Sequence, residues 1–254
     1  MSSPNIPPSL PPHSSNSKQP EEQRKLGPSQ TPSPTPEKPQ EMTRQAAIEA
    51  ALMTWCNEPN LNAGEIADRK KTVEQIRKCP LEGKILLFDL PYLSSLPMKA
   101  LELLKIQSLS IVNCEGLESL SISKKFQSLQ KLQIVKCKTL HTLSIEGEHT
   151  NLSEVKIDAC QKLTSLSIGE GSNRLTQVVL KGAKLNAIPK TLAKLPSSCT
   201  IYTQNCCKEY QEIETFRKRI EKRQNKGETV PQWKDESSPP PPPPPNLDPY
   251  RSQG

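Results

Sequence analysis

Eight cysteines and three histidines are the side chains best suited to chemistry here, as nucleophiles, metal ligands or redox partners. Cys114, Cys137 and Cys160 recur every 23 residues, Cys206 and Cys207 are adjacent, and Cys56, Cys79 and Cys199 stand apart. By count alone the set suggests a zinc or disulfide framework. The histidines offer less. His13 lies in a Ser/Pro-rich stretch, His141 between Leu140 and Leu143, and His149 just before Leu152; none sits in a motif. The run "GEGS" (Gly169 to Ser172) lacks the Lys-Ser/Thr of a phosphate loop and reads as a turn. No titratable groups converge, so the expectation is a non-enzyme with no catalytic residue, no metal and no cofactor.

The cysteine interval belongs to a larger pattern. Rows of 23 starting at Ile106, Leu129, Leu152 and Leu175 align without gaps. Three columns are apolar in every row: Ile106/Leu109/Ile111, Leu129/Leu132/Ile134, Leu152/Val155/Ile157 and Leu175/Val178/Leu180. The ninth column reads Cys114, Cys137, Cys160, Ala183. L-x-x-L-x-L followed by Asn or Cys is the signature of a leucine-rich repeat. "ILLFDLPYLSSLP" (Ile85 to Pro97) has the same rhythm without the cysteine and reads as a degenerate first repeat. Stacked rows lie about 4.8 Å apart, so the three cysteines form a straight buried column. A column cannot wrap a tetrahedral ion, and its spacing is wide for disulfides. These are read as structural thiols in a reducing compartment. The triplet "LSI" appears twice in the first row, in the strand at 109–111 and beyond the cysteine at 120–122, and the second returns at 143–145 and 166–168, where a short extended segment on the convex side is expected. It is lost at Ala187-Ile188-Pro189.

The fold expected is an α/β repeat: a short leucine-rich-repeat solenoid with a parallel concave sheet, helices at its ends and disordered Pro-rich tails. Residues 1–40 hold eleven prolines and only four apolar side chains, and 227–254 hold nine more prolines. Neither end has the apolar surface to offset chain entropy, so both are assigned to disorder. Residues 41–80 read as a helical hairpin covering the first repeat. Ala47, Ile48, Ala51, Leu52, Trp55 and Cys56 face one way on its first helix, and Ile66, Val73 and Ile76 on its second, behind an Asn62 cap. Residues 81–206 are the repeats and their closing segment, and 207–226 a charged helix with Tyr210, Ile213, Phe216 or Arg217, and Ile220 inward. That helix reads either as a solvated end element or as a site for an acidic partner or membrane surface. Net charge is +7. No dense Lys/Arg block with aromatics points to nucleic acid, and no apolar run is long enough to span a membrane. No secretory signal peptide is visible. A Ser/Pro-rich start fits type III export and an ordinary tail equally.

The order "TWCNEP", "DRKKTVEQIRKCP", repeats, then "IPKTLAKLPSSCTIYTQNC" resembles type III secreted bacterial leucine-rich-repeat effectors of the IpaH, SspH and YopM type, over about residues 43–206. The C-x-x-L spacing of the repeats also resembles plant immune receptors. The resemblance implies a cytoplasmic site of action, reached by secretion into a host cell. Ligase members of that family carry a C-terminal domain with a Cys-x-Asp nucleophile. Here 48 residues follow Cys206, and "CCKEY" has no such motif. The effectors also use Asn and shorter, Pro-rich repeats. The nearer analogue is a repeat-only scaffold binding host proteins; the alternative is an accessory or substrate-recognition component of ubiquitin ligation.

Two surfaces are candidates for binding. Residues between the inward columns point to the concave face: Ser108, Ser110 and Val112; Lys131, Gln133 and Val135; Glu154, Lys156 and Asp158; Gln177, Val179 and Lys181, with Lys136 just beyond its strand. Lys131, Lys136, Lys156 and Lys181 suggest a moderately basic stripe. The second is the run Pro239, Pro240, Pro241, Pro242, Pro243, Pro244 and Pro245, a polyproline II rod. It reads as a ligand for a profilin, EVH1 or WW domain, or as a spacer. The oligomeric state is not written in the sequence.

Overall fold

The computed structural model describes residues 38–78, 83–147 and 151–237. The first tail to residue 37, Cys79, His149 and the proline run lie outside the described residues. In the rest, the apolar alternation does what its period requires. Strands β1 (Lys84–Phe88), β2 (Ser108–Val112), β4 (Lys131–Val135), β6 (Glu154–Asp158) and β9 (Thr200–Gln204) each bury their second and fourth residues and turn the others outward. Strand β8 (Gln177–Lys181) also buries Val179. With β10 (Gln232–Asp235) they form one parallel sheet in the order β1-β2-β4-β6-β8-β9-β10. Each row pairs with the next in a fixed register, as in Ser108↔Lys131↔Glu154↔Gln177↔Thr200. The chain is a parallel-sheet solenoid.

The "LSI" beyond the cysteine in the first three rows makes a second parallel sheet, β3 (Ser119–Ile122), β5 (Thr142–Ile145) and β7 (Ser165–Ile168). Helix α3 (Met98–Leu103) takes the corresponding place before it. After it, beyond Pro189, the chain forms a 3-10 helix over Lys190–Lys194. Proline cannot donate to an interior ladder, so the sheet ends there. The turns beyond this sheet are tight. A Cβ on Gly169 would lie 2.2 Å from the Gly147 amide nitrogen, so two glycines are stacked where the rows touch.

One residue past each strand the chain kinks into left-handed backbone: Asp89, Asn113, Lys136, Ala159, Gly182 and Asn205 all have positive φ. Non-glycine residues there cost about 1–2 kcal/mol each. The kink aims the amide at the row ahead: Asn113 donates to the Val135 carbonyl, Lys136 to Asp158 and Ala159 to Lys181, at 2.9–3.0 Å. It also carries the next residue into the core. Cys114, Cys137 and Cys160 are fully buried, and their thiols donate to the carbonyls of Val112, Val135 and Asp158 at 3.5–3.7 Å. The hydrogen bond to Cys137 and burial raise the pKa of both Cys114 and Cys160. Cys137 accepts from both neighbours, which favours its thiolate. A charge there would be set among apolar side chains, a costlier state than a neutral thiol, so we take the column as protonated.

Helices α1 (Lys38–Cys56) and α2 (Ala63–Arg77) pack on the β1 end, burying Ile48, Leu52, Trp55, Val73 and Ile76. Asn62 caps α2 by accepting from the Glu65 amide at 2.8 Å. The expected inward face of α2 is corrected at Ile66, which is exposed; Glu65, Asp68, Arg69 and Thr72 are buried instead. The reason is a polar hub. Arg69, 2% exposed, donates to Glu58 at 2.7 Å, to Glu65 at 3.0 Å, to Ser95 at 3.2 Å and to the Trp55 carbonyl, with its guanidinium over the Trp55 ring. Gln75 exchanges two hydrogen bonds with the Phe88 backbone and so covers part of the open edge of β1.

At the other end α4 (Tyr210–Gln224) buries Ile213, Phe216 and Ile220. The assignment of 227–254 to a disordered tail is corrected for residues 227–237, which include β10. The Trp233 ring meets Phe216 edge-on at 5.6 Å, and its Nε1 donates to Thr203 at 3.0 Å. Asp235 accepts from the Thr203 hydroxyl at 2.8 Å. One tryptophan and one matched polar pair hold a segment too polar to fold by composition.

Removing the Arg69 side chain leaves Glu65 buried beside Ser94 without its counter-charge. Arg69→Ala is expected to destabilise the chain by about 3–5 kcal/mol in urea unfolding. Burial pushes the Glu65 carboxyl up, but hydrogen bonds from Ser94 and Arg69 and the Arg69 charge outweigh it and leave its pKa lowered. A carboxyl lowered by folding stabilises the fold above its unfolded pKa, and loses that contribution as pH falls through the folded value. The stability gap between wild type and Glu65→Gln should therefore shrink on acidification; a gap constant with pH would contradict this account.

Candidate interaction surface

The outward face of the seven-stranded sheet is a grid of three ranks. The first runs Lys84, Ser108, Lys131, Glu154, Gln177, Thr200, Gln232. The second runs Leu86, Ser110, Gln133, Lys156, Val179, Tyr202, Lys234, and the third Phe88, Val112, Val135, Asp158, Lys181, Gln204. Ser108, Ser110, Lys131, Gln133, Glu154, Lys156, Asp158, Gln177 and Lys181 thus share one face, as their spacing predicts. Lys136 lies at the kink past β4 and is exposed.

Charge on this face is organised differently from the basic stripe expected. Lys131 pairs with Glu154 at 2.9 Å, Lys156 with Asp158 at 4.0 Å, and Lys181 with Glu236 at 3.5 Å. Ser110 donates to Gln133 at 3.0 Å. Three of the four lysines are thereby matched by acids: Lys131 by one on the adjoining strand, Lys156 by one on its own, and Lys181 by Glu236, just past β10. From β2 to β6 the first two ranks are polar and largely self-satisfied, while Val112 and Val135 stand half-buried in the third.

The ends of the grid are apolar or aromatic, and sequence reasoning passed over them. Leu86 is 51% and Phe88 43% exposed on β1, and Tyr92 is 60% exposed just beyond. Lys71 donates to the Asp89 carbonyl at 2.8 Å and stands over the Phe88 ring. At the far end Tyr202 lies beside Val179, with Lys234 over its ring. Extending the 23-residue rows forward one step finds Tyr202, which follows Val179. Extending them backward fails, because β1 pairs with β2 at an interval of 24, so that Leu86 and Phe88 stand beside Ser110 and Val112 while the 23-residue step from Ser110 reaches buried Leu87. Gln232 and Lys234 could not be found so, because α4 interrupts the period.

Among the described residues, no three His, Cys, Asp or Glu side chains gather as metal ligands, and no helix is long and apolar enough to cross a membrane. Two open grooves lie at the ends of the sheet, the second touching the grid at Gln232. One of about 580 Å³ runs between α1 and α3, and one of about 540 Å³ between α4 and β10.

The Lys131–Glu154 pair joins two adjacent strands in a partly exposed setting. A double-mutant cycle with Lys131→Ala and Glu154→Ala should give a coupling of about 0.2–1 kcal/mol, falling with added salt. A larger, salt-insensitive coupling would mean that the pair is not solvent-screened. Comparison with known proteins adds no further constraint: no family model matches this chain, and no curated protein does.

Proposed function

We propose that this chain is a non-enzymatic interaction module: a leucine-rich-repeat solenoid, with the α1–α2 hairpin as its end cap, that grips a protein partner on the outward face of the seven-stranded sheet. The observation that supports this most is the exposure of Leu86 and Phe88 at one end of a continuous face, where burial of an aromatic contributes most to binding. The paired charges between the ends suit this role. Already oriented by their neighbours, they lose little freedom when a partner covers them. In this reading the partner is a host protein met in a reducing cytosol after secretion, and the proline run 239–245 is a second docking element for a polyproline-reading domain.

Two variants of the full chain test this reading. One carries Leu86→Asp, Gln133→Asp and Tyr202→Asp on the proposed face. The other carries Ser119→Asp, Ser144→Asp and Ser167→Asp on the second sheet, whose serines point outward or lie half-buried. Quantitative affinity capture from host-cell extract should lose its specific partners at least tenfold with the first variant and retain them with the second. Equal retention by both would sink the assignment of the face.

A further inference from the structure

Cys206 and Cys207 occupy unequal positions. Cys206 continues the cysteine column one row past Ala183 and is fully buried, whereas Cys207 is half-buried. Their sulfurs nevertheless lie 3.7 Å apart. The backbone around them is clamped. The Leu185 amide donates to the Cys206 carbonyl and the Leu185 carbonyl accepts from the Lys208 amide, both at 2.9 Å. Leu185 and Cys207 also form an isolated parallel bridge. The two thiols are therefore held together by the fold at the junction between the last row and α4.

We propose that Cys206 and Cys207 are a redox modification site that takes small disulfides, with Cys207 as the entry thiol and Cys206 as the resolving thiol. The Cys207 thiolate attacks one sulfur of a low-molecular-weight disulfide. That S–S bond breaks, one small thiolate leaves, and a mixed disulfide forms on Cys207. Cys206 then attacks the Cys207 sulfur, its proton passing to the second small thiolate as that group is expelled as a thiol, and an intramolecular bond closes. Two protein thiols are oxidised and one small disulfide is reduced to two thiols. The sulfurs must close from 3.7 Å to about 2.05 Å, and because adjacent Cα atoms lie about 3.8 Å apart, below the usual disulfide range, closure also requires the peptide between them to turn against the Leu185 hydrogen bonds. Burial does not block the second step, because Cys206 need only reach its neighbour. It does bar direct entry, and the hydrogen bond to Cys207 together with burial keeps the Cys206 thiol protonated until then.

The test uses the full chain in native buffer with oxidised glutathione. The sample is acid-quenched, denatured, alkylated with iodoacetamide and cut with trypsin, which releases Leu195–Lys208 carrying Cys199, Cys206 and Cys207 together. The wild-type peptide should lose two of its three alkyl tags and two hydrogens, and regain all three tags after dithiothreitol. Cys206→Ser should accumulate glutathione on Cys207, and Cys207→Ser should keep full alkylation of Cys206. The peptides holding Cys114, Cys137 and Cys160 should stay fully alkylated. A wild-type peptide that keeps all three tags, or holds glutathione without closing the internal bond, overturns the proposal. The wild-type outcome decides this whether or not either variant folds.

Discussion

The amide of the residue just past each strand donates to the row ahead, and the rest of the molecule is arranged around that hand-over. Asn113, Lys136, Ala159 and Gly182 all make it, each in left-handed backbone. Without the kink the next side chain would continue along the sheet surface. With it, a small residue drops into the core beneath the strand. Cysteine suits the place: compact enough for a crowded column, and able to return a weak hydrogen bond to the strand carbonyl. The same constraint explains the even spacing of 23. One residue inserted within a strand would exchange the inward and outward columns of that row, whereas the loop between β1 and β2 accommodates an extra one: those strands pair at an interval of 24 and Asp89 still donates to the Val112 carbonyl.

A stack of this kind has a difficulty only at its ends, where no further row satisfies the ladder or covers the core. The two ends solve it with networks of buried polar groups, where the interior rows bury only the single hydroxyl of Ser172 among the described residues. At the β1 end, Arg69 ties α1, α2 and the Ser94–Ser95 turn into one network, while Gln75 substitutes for missing backbone partners. At the β10 end, Thr203 stands where interior rows have Ile or Leu, and joins Trp233 and Asp235. Interior rows are uniform because each faces a copy of itself. Terminal rows are idiosyncratic because each faces something else.

This division accounts for what was legible in the sequence. Columns seen several times over, such as Leu109/Leu132/Val155/Val178, announce their own burial, and with it the outward face between them. Single events do not. Nothing local in "DRKKTVEQI" reveals that Arg69 is buried and Ile66 exposed, because the decision rests on Glu58, Ser94 and Ser95, distant in sequence or in a different element. Trp233 lies in a stretch whose composition is that of a tail, and its partner Phe216 is on a helix that breaks the period. The lysine pairings were nearer to view. Lys131 and Glu154 occupy the same column of consecutive rows, and reading down the column instead of counting charges finds them.

The dimensions of the grid bear on what it can hold. Seven strands at about 4.8 Å spacing span roughly 29 Å, and five residues of strand span about 16 Å, so the strands alone offer on the order of 460 Å². A standard protein interface covers about 800 Å² on each partner. A globular partner of ordinary affinity must therefore reach beyond the strands onto the loops that flank them. Exposed residues at that rim include Asp89 and Tyr92 past β1, Lys136 past β4 and Asn205 past β9, all on the side where the chain kinks into the core. The row-to-row hand-over that sets the fold thus also sets the rim of the proposed face, since its left-handed residues are the first past the strands, half-exposed at Asn113, Ala159 and Gly182 and exposed at Lys136.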